Sequence, residues 1–388
     1  MADKETRQVK KSNLLPRLLA LVVTAALVLG ALALVVYRDR LNVDALRRWL
    51  SYRSLETSDT GQAAPFTHAG GDRMSLAYLD GRVLTASAAG AHYYALSGEL
   101  IAEEVAPLDN PVLSVSRTAG AVYDAGGQSL FLFRNGEERP APALEEGADL
   151  LSVRPNDSGW MAVTAQHSGY KGAVTVYDAQ QEPVIQISLS STFAVDAALS
   201  PDNRTVAVVT MDQTGGQFAS TLLLYPVDQS EPSAQVDLGN LVVLDLEYES
   251  GQLWVLGEDQ LAVVSADGSQ VARYDLGRSY LKGCDLGGDG FALLLTGPYR
   301  EGSADRAVVV GPDGLAVQTL ELTRPVLDLS AAGSYCALLT GSDLTIYTRD
   351  LTLYASLDDP QGARLVDLAA DGSALLADSQ RAWLFLPG

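Results

Sequence analysis

Eight times after residue 64, a tight turn is followed by a short apolar strand. The first four copies read Asp80-Gly81 before VLTAS, Ala119-Gly120 before AVYDA, Ser158-Gly159 before WMAVTA, and Asp202-Asn203 before VAVVT. The next four read Ser250-Gly251 before LWVLG, Asp289-Gly290 before FALLLT, Ala332-Gly333 before YCALLT, and Asp371-Gly372 before ALLAD. Counted from the second residue of each turn, the copies lie 39, 39, 44, 48, 39, 43 and 39 residues apart. Short apolar runs between closely spaced turns, with no amphipathic helical stretch among them, read as all-β. A period of about 40 residues is the size of one four-stranded propeller blade.

The order inside each copy fits a blade. From Pro325 the strands are PVLDLS, YCALLT, LTIY and LYASL, divided by turns. The final copy has three strands, ARLVDLA, ALLAD and AWLFL, and a ring closes only if the fourth comes from the other end. Pro65 to His68 lies just ahead of the first full copy and is placed to supply it. Sharing one blade between both ends removes exposed sheet edges. The expected fold is an eight-bladed β-propeller over residues 64–388, with seven blades as the alternative if an end copy is miscounted.

Ahead of the repeats lies a different kind of chain. Leu18 to Tyr37 is a run of twenty residues without a charge, about 30 Å long as a helix and so matched to a bilayer core. A cleaved signal peptide is the rival reading, with Ala31-Leu32-Ala33 as its site, but the apolar run continues through Val36. Lys and Arg are balanced on the two sides of the span. The short basic tail 1–17 is the easier part to retain and the acidic remainder the easier to export. The expectation is therefore a cytoplasmic N-terminus, a transmembrane helix over 18–37, and an extracytoplasmic propeller. Residues 38–63 read as a juxtamembrane amphipathic helix, with Trp49 and Tyr52 at the interface, followed by a small polar linker. A helical stalk with no lipid role is the alternative.

Charge excludes one class of partner. Residues 1–53 carry ten Lys+Arg and four acids, a net +6, which leaves −27 of the total −21 on the rest. Such a body has no excess of cations with which to hold phosphate, so no nucleic acid is expected. Motifs for chemistry are also missing: HExxH, G-x-S-x-G and the phosphate loop are absent. The three histidines, His68, His92 and His167, are dispersed, and Cys284 and Cys336 sit in apolar strands as small hydrophobes. No catalytic residue and no cofactor are expected.

Two polar patterns remain. The first strand of each copy holds one polar residue between apolar neighbours: Ser75, Ser114, Ser152, Asp196, Asp245, Asp285, Asp328 and Asp367. Around a ring these face the axis. They either accept hydrogen bonds from the adjacent blade's backbone, or the five aspartates bind a hard cation such as Ca²⁺. The second pattern breaks the symmetry. Turns after second strands are long in three copies, at Ala165 to Gly172, Thr210 to Ser220 and Thr296 to Arg306. All such turns leave a propeller by one face, so this face displays Tyr170, Lys171, Phe218, Tyr299, Arg300 and Arg306. Aromatics and arginines are frequent interface anchors, and the alternative is that these are neutral insertions.

The stretch ALSPDNRTVAVVT (Ala198 to Thr210) resembles the Ser-Pro-Asp repeat of WD40-like bacterial propellers, with Asn203 where glycine is usual. Basic tail, single span, short stalk and divergent propeller together resemble a family of single-pass propeller proteins of Gram-positive bacteria known only as a domain of unknown function. That resemblance carries no catalytic residues. The expected function is a non-enzymatic scaffold at the cell envelope that binds a protein or envelope component. A propeller hydrolase or lyase acting on cell-surface glycan, or a cation-stabilised sensor, stands as the alternative.

Overall fold

The computed structural model describes residues 21–25, 28, 43–53, 55–71, 73–214 and 216–388. Contacts divide the chain into two units, residues 1–50 and 51–388. In the first, a helix begins at Val43 and runs on to Tyr52, with Asp44 in its first turn, where a carboxylate suits the exposed amide dipoles. Val43, Leu46, Trp49 and Leu50 are exposed apolar side chains on that helix. The expected span Leu18 to Tyr37 lies for its greater part outside the described residues. Among the described residues, no helix is long and apolar enough to cross a membrane.

The second unit is an eight-bladed β-propeller. Eight antiparallel sheets hold four strands each, and seven of them follow the chain without a crossover. The eighth is composite. Its strands Leu365–Leu368, Ala374–Ala377 and Arg381–Phe385 are completed by Phe66–Thr67, with Phe66 paired to Ala382 and Thr67 to Arg381. Pro65 to His68 therefore closes the ring as the sequence predicts. The compact unit also takes in residues from Ser51 onward, because Tyr52 and Ala63 are buried between blades 8 and 1.

Why this sequence closes is visible in its core. Eight apolar clusters form, one for each pair of neighbouring blades, including the pair formed by the last and the first. Second strands lie between neighbours on both faces and are largely apolar at their centres; Phe291–Gly297 is buried at every residue. Fourth strands form the outer rim and are mostly exposed, as in Ala316–Glu321. Trp254 and Trp383, almost fully buried, fill two of the interblade layers.

Two local expectations shift. Ala119 and Gly120 belong to the strand Ala119–Asp124, and the turn precedes them. A Cβ on Gly120 would lie 2.6 Å from Leu84 Cδ2, so this glycine serves close packing on blade 1 instead of a turn. Thr210 to Ser220 is not an irregular loop. The strands Thr205–Thr214 and Gln217–Pro226 continue through it as a projecting hairpin, with Gln213 opposite Phe218.

Candidate functional site: the bulged rim and the axial channel

The inner strands of blades 3 to 7 share a device that the first and last blades lack. Each has a β-bulge near its start, between Leu150 and Ser152, Ala194 and Asp196, Val243 and Asp245, Leu281 and Gly283, and Val326 and Asp328. A bulge leaves one residue unpaired and re-aims its side chain. Leu151, Leu244 and Leu327 occupy that place in blades 3, 5 and 7 and are exposed. Phe193 and Tyr280, at the same strand end in blades 4 and 6, are exposed too. Five consecutive blades thus present an apolar arc around the axis.

The expected loop residues stand on this same end. Tyr170 stacks on His167 at 5.0 Å, and His167 Nδ1 lies 2.9 Å from Glu145. Lys171 donates to the carbonyl of Ser191 at 2.6 Å and sits 4.8 Å over the Phe193 ring, which joins the blade 3 loop to blade 4. Phe218 is half-exposed on the projecting hairpin of blade 4, and Tyr299 is 74% exposed in blade 6. The carbonyl of Arg300 accepts a hydrogen bond from Lys282 at 2.7 Å. Arg306 differs: its Nε lies 3.2 Å from Glu321 across paired third and fourth strands.

At the opposite end the axial channel opens as a cavity of about 730 Å³, its mouth formed by turns between first and second strands, such as Asp157, Ser250 and Asp289. The aspartates do not form one level within it. Asp196, Asp245 and Asp328 each follow a bulge directly. In blade 6 glycine takes that position as Gly283, and Asp285 stands two residues further along the strand, about 6.6 Å away. Arg154 and Glu247 hold the corresponding places in blades 3 and 5, two residues after Ser152 and Asp245.

One arc of the channel is joined through backbone. Asp285 accepts from the amide of Ala331 at 2.8 Å, Asp328 from Val366 at 2.8 Å, and Asp367 from Tyr78 at 2.5 Å. In every case the donor belongs to the inner strand of the next blade. The other arc is joined through a guanidinium. Arg154 holds Asp196 with Nε and Nη2 at 2.7–3.0 Å and donates to Asp245 at 2.7 Å, and Ser152 also donates to Asp196. Glu247 lies 3.8 Å from Arg154.

Burial governs the protons of the channel carboxylates. Burial raises Glu247 to about 8 despite the neighbouring Arg154. Burial lifts Asp367 to about 7 and Asp285 to about 6 against the backbone amides that favour their ionised forms, and Asp328 likewise reaches about 6. Glu249 rises to about 7 through burial and then the charge of Asp289. Among the described residues, no group of three or more His, Cys, Asp or Glu is arranged to hold a metal ion.

The remaining expected residues have structural surroundings. His68 donates from Nε2 to the carbonyl of Asp378 at 2.9 Å while its Nδ1 accepts from Gly70, which fixes the closing strand to blade 8. Cys336 is buried and Cys284 partly so; both thiols are free, and burial pushes each up to about 12. Arg154, Glu247 and Glu249 are the residues that sequence reading overlooked. The signal was present: LLSVRP and VLDLEYE carry further polar side chains two and four residues on, on the same strand face.

This architecture defines an eight-bladed propeller of the WD40-like kind. The match in sequence is to a family of unknown function, DUF5711, over residues 51–350, and the chain belongs to that family. No sequence among curated proteins matches it. Among solved structures it is similar to the computationally designed Ika8 protein, with TM-score 0.60 and 11% identity over 83% of this chain and 99% of the other. The C-terminal WD40 domain of Sif2 gives TM-score 0.57 and 12% identity over 83% and 99%. BamB from Moraxella catarrhalis gives 0.50 and 13% over 84% and 97%. At these identities the likeness is one of fold.

Proposed function

We propose that this protein is a single-pass, membrane-anchored scaffold whose propeller lies outside the cytoplasm and docks a protein partner on the bulged rim. The observation that carries the docking is the apolar arc of blades 3 to 7. Solvent-exposed apolar side chains set on a rigid frame and flanked by aromatic loop residues are what partner surfaces use. Lys171 and Arg300 beside the arc favour a partner that presents carboxylates near its apolar contact. The anchor rests on the uncharged run Leu18 to Tyr37 and its basic N-terminal tail. The chain joins the propeller at Tyr52, which bonds Tyr78 and Ser373 at the channel-mouth end.

Photo-crosslinking tests the docking: the full chain carries a photoreactive residue at Leu244 in cells. A discrete adduct that Leu327→Ser and Tyr299→Ala suppress supports the rim; an adduct pattern unchanged by both overturns it. Topology has its own test, in which a cysteine introduced at Ser303 is treated with a membrane-impermeant maleimide. Labelling in intact cells supports export, and labelling only after lysis places the propeller in the cytoplasm.

A further inference from the structure

Between blades 2 and 3, adjoining the channel cavity at Pro155, lies a cleft of about 220 Å³. Its wall holds Phe133 and Met161 as apolar surface and Arg134, Arg139 and Gln181 as polar groups. Arg134 Nε and Gln181 Oε1 are both shut off from solvent without a hydrogen-bond partner. Buried polar groups are nearly always paired, so an orphan donor and an orphan acceptor lining one cleft call for an explanation. Nor does the guanidinium of Arg134 meet a carboxylate among the described residues, in a propeller that is strongly acidic.

The backbone makes room for this arrangement. Gly159 has φ +80°, and a Cβ there would stand 2.1 Å from Arg134 Nη1, so a glycine is what lets the guanidinium lie against blade 3. Gln181 holds φ +67°, a conformation that side-chain-bearing residues rarely adopt. That φ belongs to the hairpin turn between third and fourth strands, closed by the hydrogen bonds of Gln181 N to Asp178 O and of Asp178 N to Glu182 O, and the turn places Gln181 on the wall of the cleft.

We propose that this cleft binds a small carboxylate bearing a neighbouring N–H donor, the chemistry shared by a free N-acylated amino acid and the C-terminal residue of a peptide. The carboxylate pairs with Arg134, whose planar fork matches it, while Arg139 is already engaged by Glu137 at 3.3 Å. The N–H answers Gln181 Oε1. Phe133 and Met161 accommodate a short apolar side chain. The volume lies below the ~300–1,000 Å³ of pockets that take drug-sized ligands, so the occupant, or the part of it enclosed, is smaller.

The test uses the full chain in detergent micelles with N-acetylalanine, its methyl ester, and an N-acetylated trialanine with free or amidated C-terminus, followed by calorimetry and ligand-observed NMR. N-acetylalanine should bind, with the ester and the amidated peptide weaker by about tenfold or more, since each lacks the charge that Arg134 pairs. Arg134→Met should lower affinity by a similar factor. Gln181→Gly should weaken binding while leaving the melting temperature unchanged or raised, because glycine accepts the positive φ; this separates loss of a contact from loss of fold. Binding of the free-acid peptide as tight as that of N-acetylalanine identifies a peptide terminus as the source, and its exclusion identifies a free acid. Absence of N-acetylalanine binding up to about 10 mM, equal affinity for the ester, or an unaltered Arg134→Met variant overturns the proposal.

Discussion

Asp367 accepts a hydrogen bond from the backbone amide of Tyr78 at 2.5 Å, across 289 residues of chain. It joins the eighth blade to the first where the ring would otherwise part, and Ser330 adds a second donor to the same carboxylate at 3.3 Å. Asp367→Ala leaves the Tyr78 amide without its acceptor. The expected loss is about 1–3 kcal/mol, read as a lower midpoint in urea with little change in slope. Asp367→Asn, which keeps an acceptor oxygen, should lose less; equal losses would show that the carboxylate's charge, not the bond, is what matters.

Arg154 is the corresponding link on the other arc. Arg154→Met strands Asp196, which is buried, and Asp245, which is half-buried, and should cost about 2–4 kcal/mol. Adding Asp196→Asn in that background should restore part of the loss, because the uncompensated charge is then removed. A double-mutant cycle that shows simple additivity would mean the pair is not coupled.

The raised channel carboxylates set an unusual pH dependence. Glu247, Glu249, Asp285, Asp328 and Asp367 have folded values of about 6 to 8, against roughly 4 for such groups in an unfolded chain. Between those limits the folded state holds more protons than the unfolded one, so stability falls as pH rises through the window. The melting temperature should therefore climb as pH is lowered from 8 to 5. Below that, Asp202, Asp343 and Asp378, whose values are depressed, reverse the trend. A melting temperature flat or falling from pH 8 to 5 would contradict this.

The closing strand can be tested by truncation. A chain beginning at Ser51 should melt cooperatively, since it retains the whole compact unit. One beginning at Gly70 lacks Phe66–Thr67 and exposes the edge of Arg381–Phe385. It also loses Tyr52 and Phe66 from the layer between blades 8 and 1, each worth about 1.5–3 kcal/mol on burial. Broad melting and self-association on gel filtration are expected.

Both thiols should resist iodoacetamide at pH 8 in the folded state, because burial holds them near 12 and the thiolate is the reactive form. Rapid modification of two thiols before unfolding would be the opposing result.

The repeat was legible because it is written in residues that act locally. Asn135-Gly136 and Ser250-Gly251 take positive φ at both positions, which the tight hairpins of a right-twisted sheet require. The bulges left no such mark. Whether Leu244 is paired depends on which residue of the neighbouring strand it meets, and that is settled by packing across the whole blade. For the same reason Asp285 and Asp328 look equivalent in sequence and stand at different depths. The hairpin at blade 4 was hidden by its glycine pair, which reads as a loop until the polar alternation on either side is seen to pair. Arg154 is hidden in the sequence because one strand face offers two polar positions, Ser152 and Arg154, and only the packed ring shows that the second reaches Asp196 and Asp245.

Phe66 and its partner Ala382 also have a temporal relationship. On a ribosome adding ~5–20 residues each second, the earlier strand emerges well over ten seconds before the one it must meet. Through that interval Tyr52 and Phe66 lack the blade 8 half of their enclosure, so the layer they belong to is completed only when the last blade is made. A chain interrupted before Arg381 presents an open strand edge and a bare apolar layer, both of which invite aggregation.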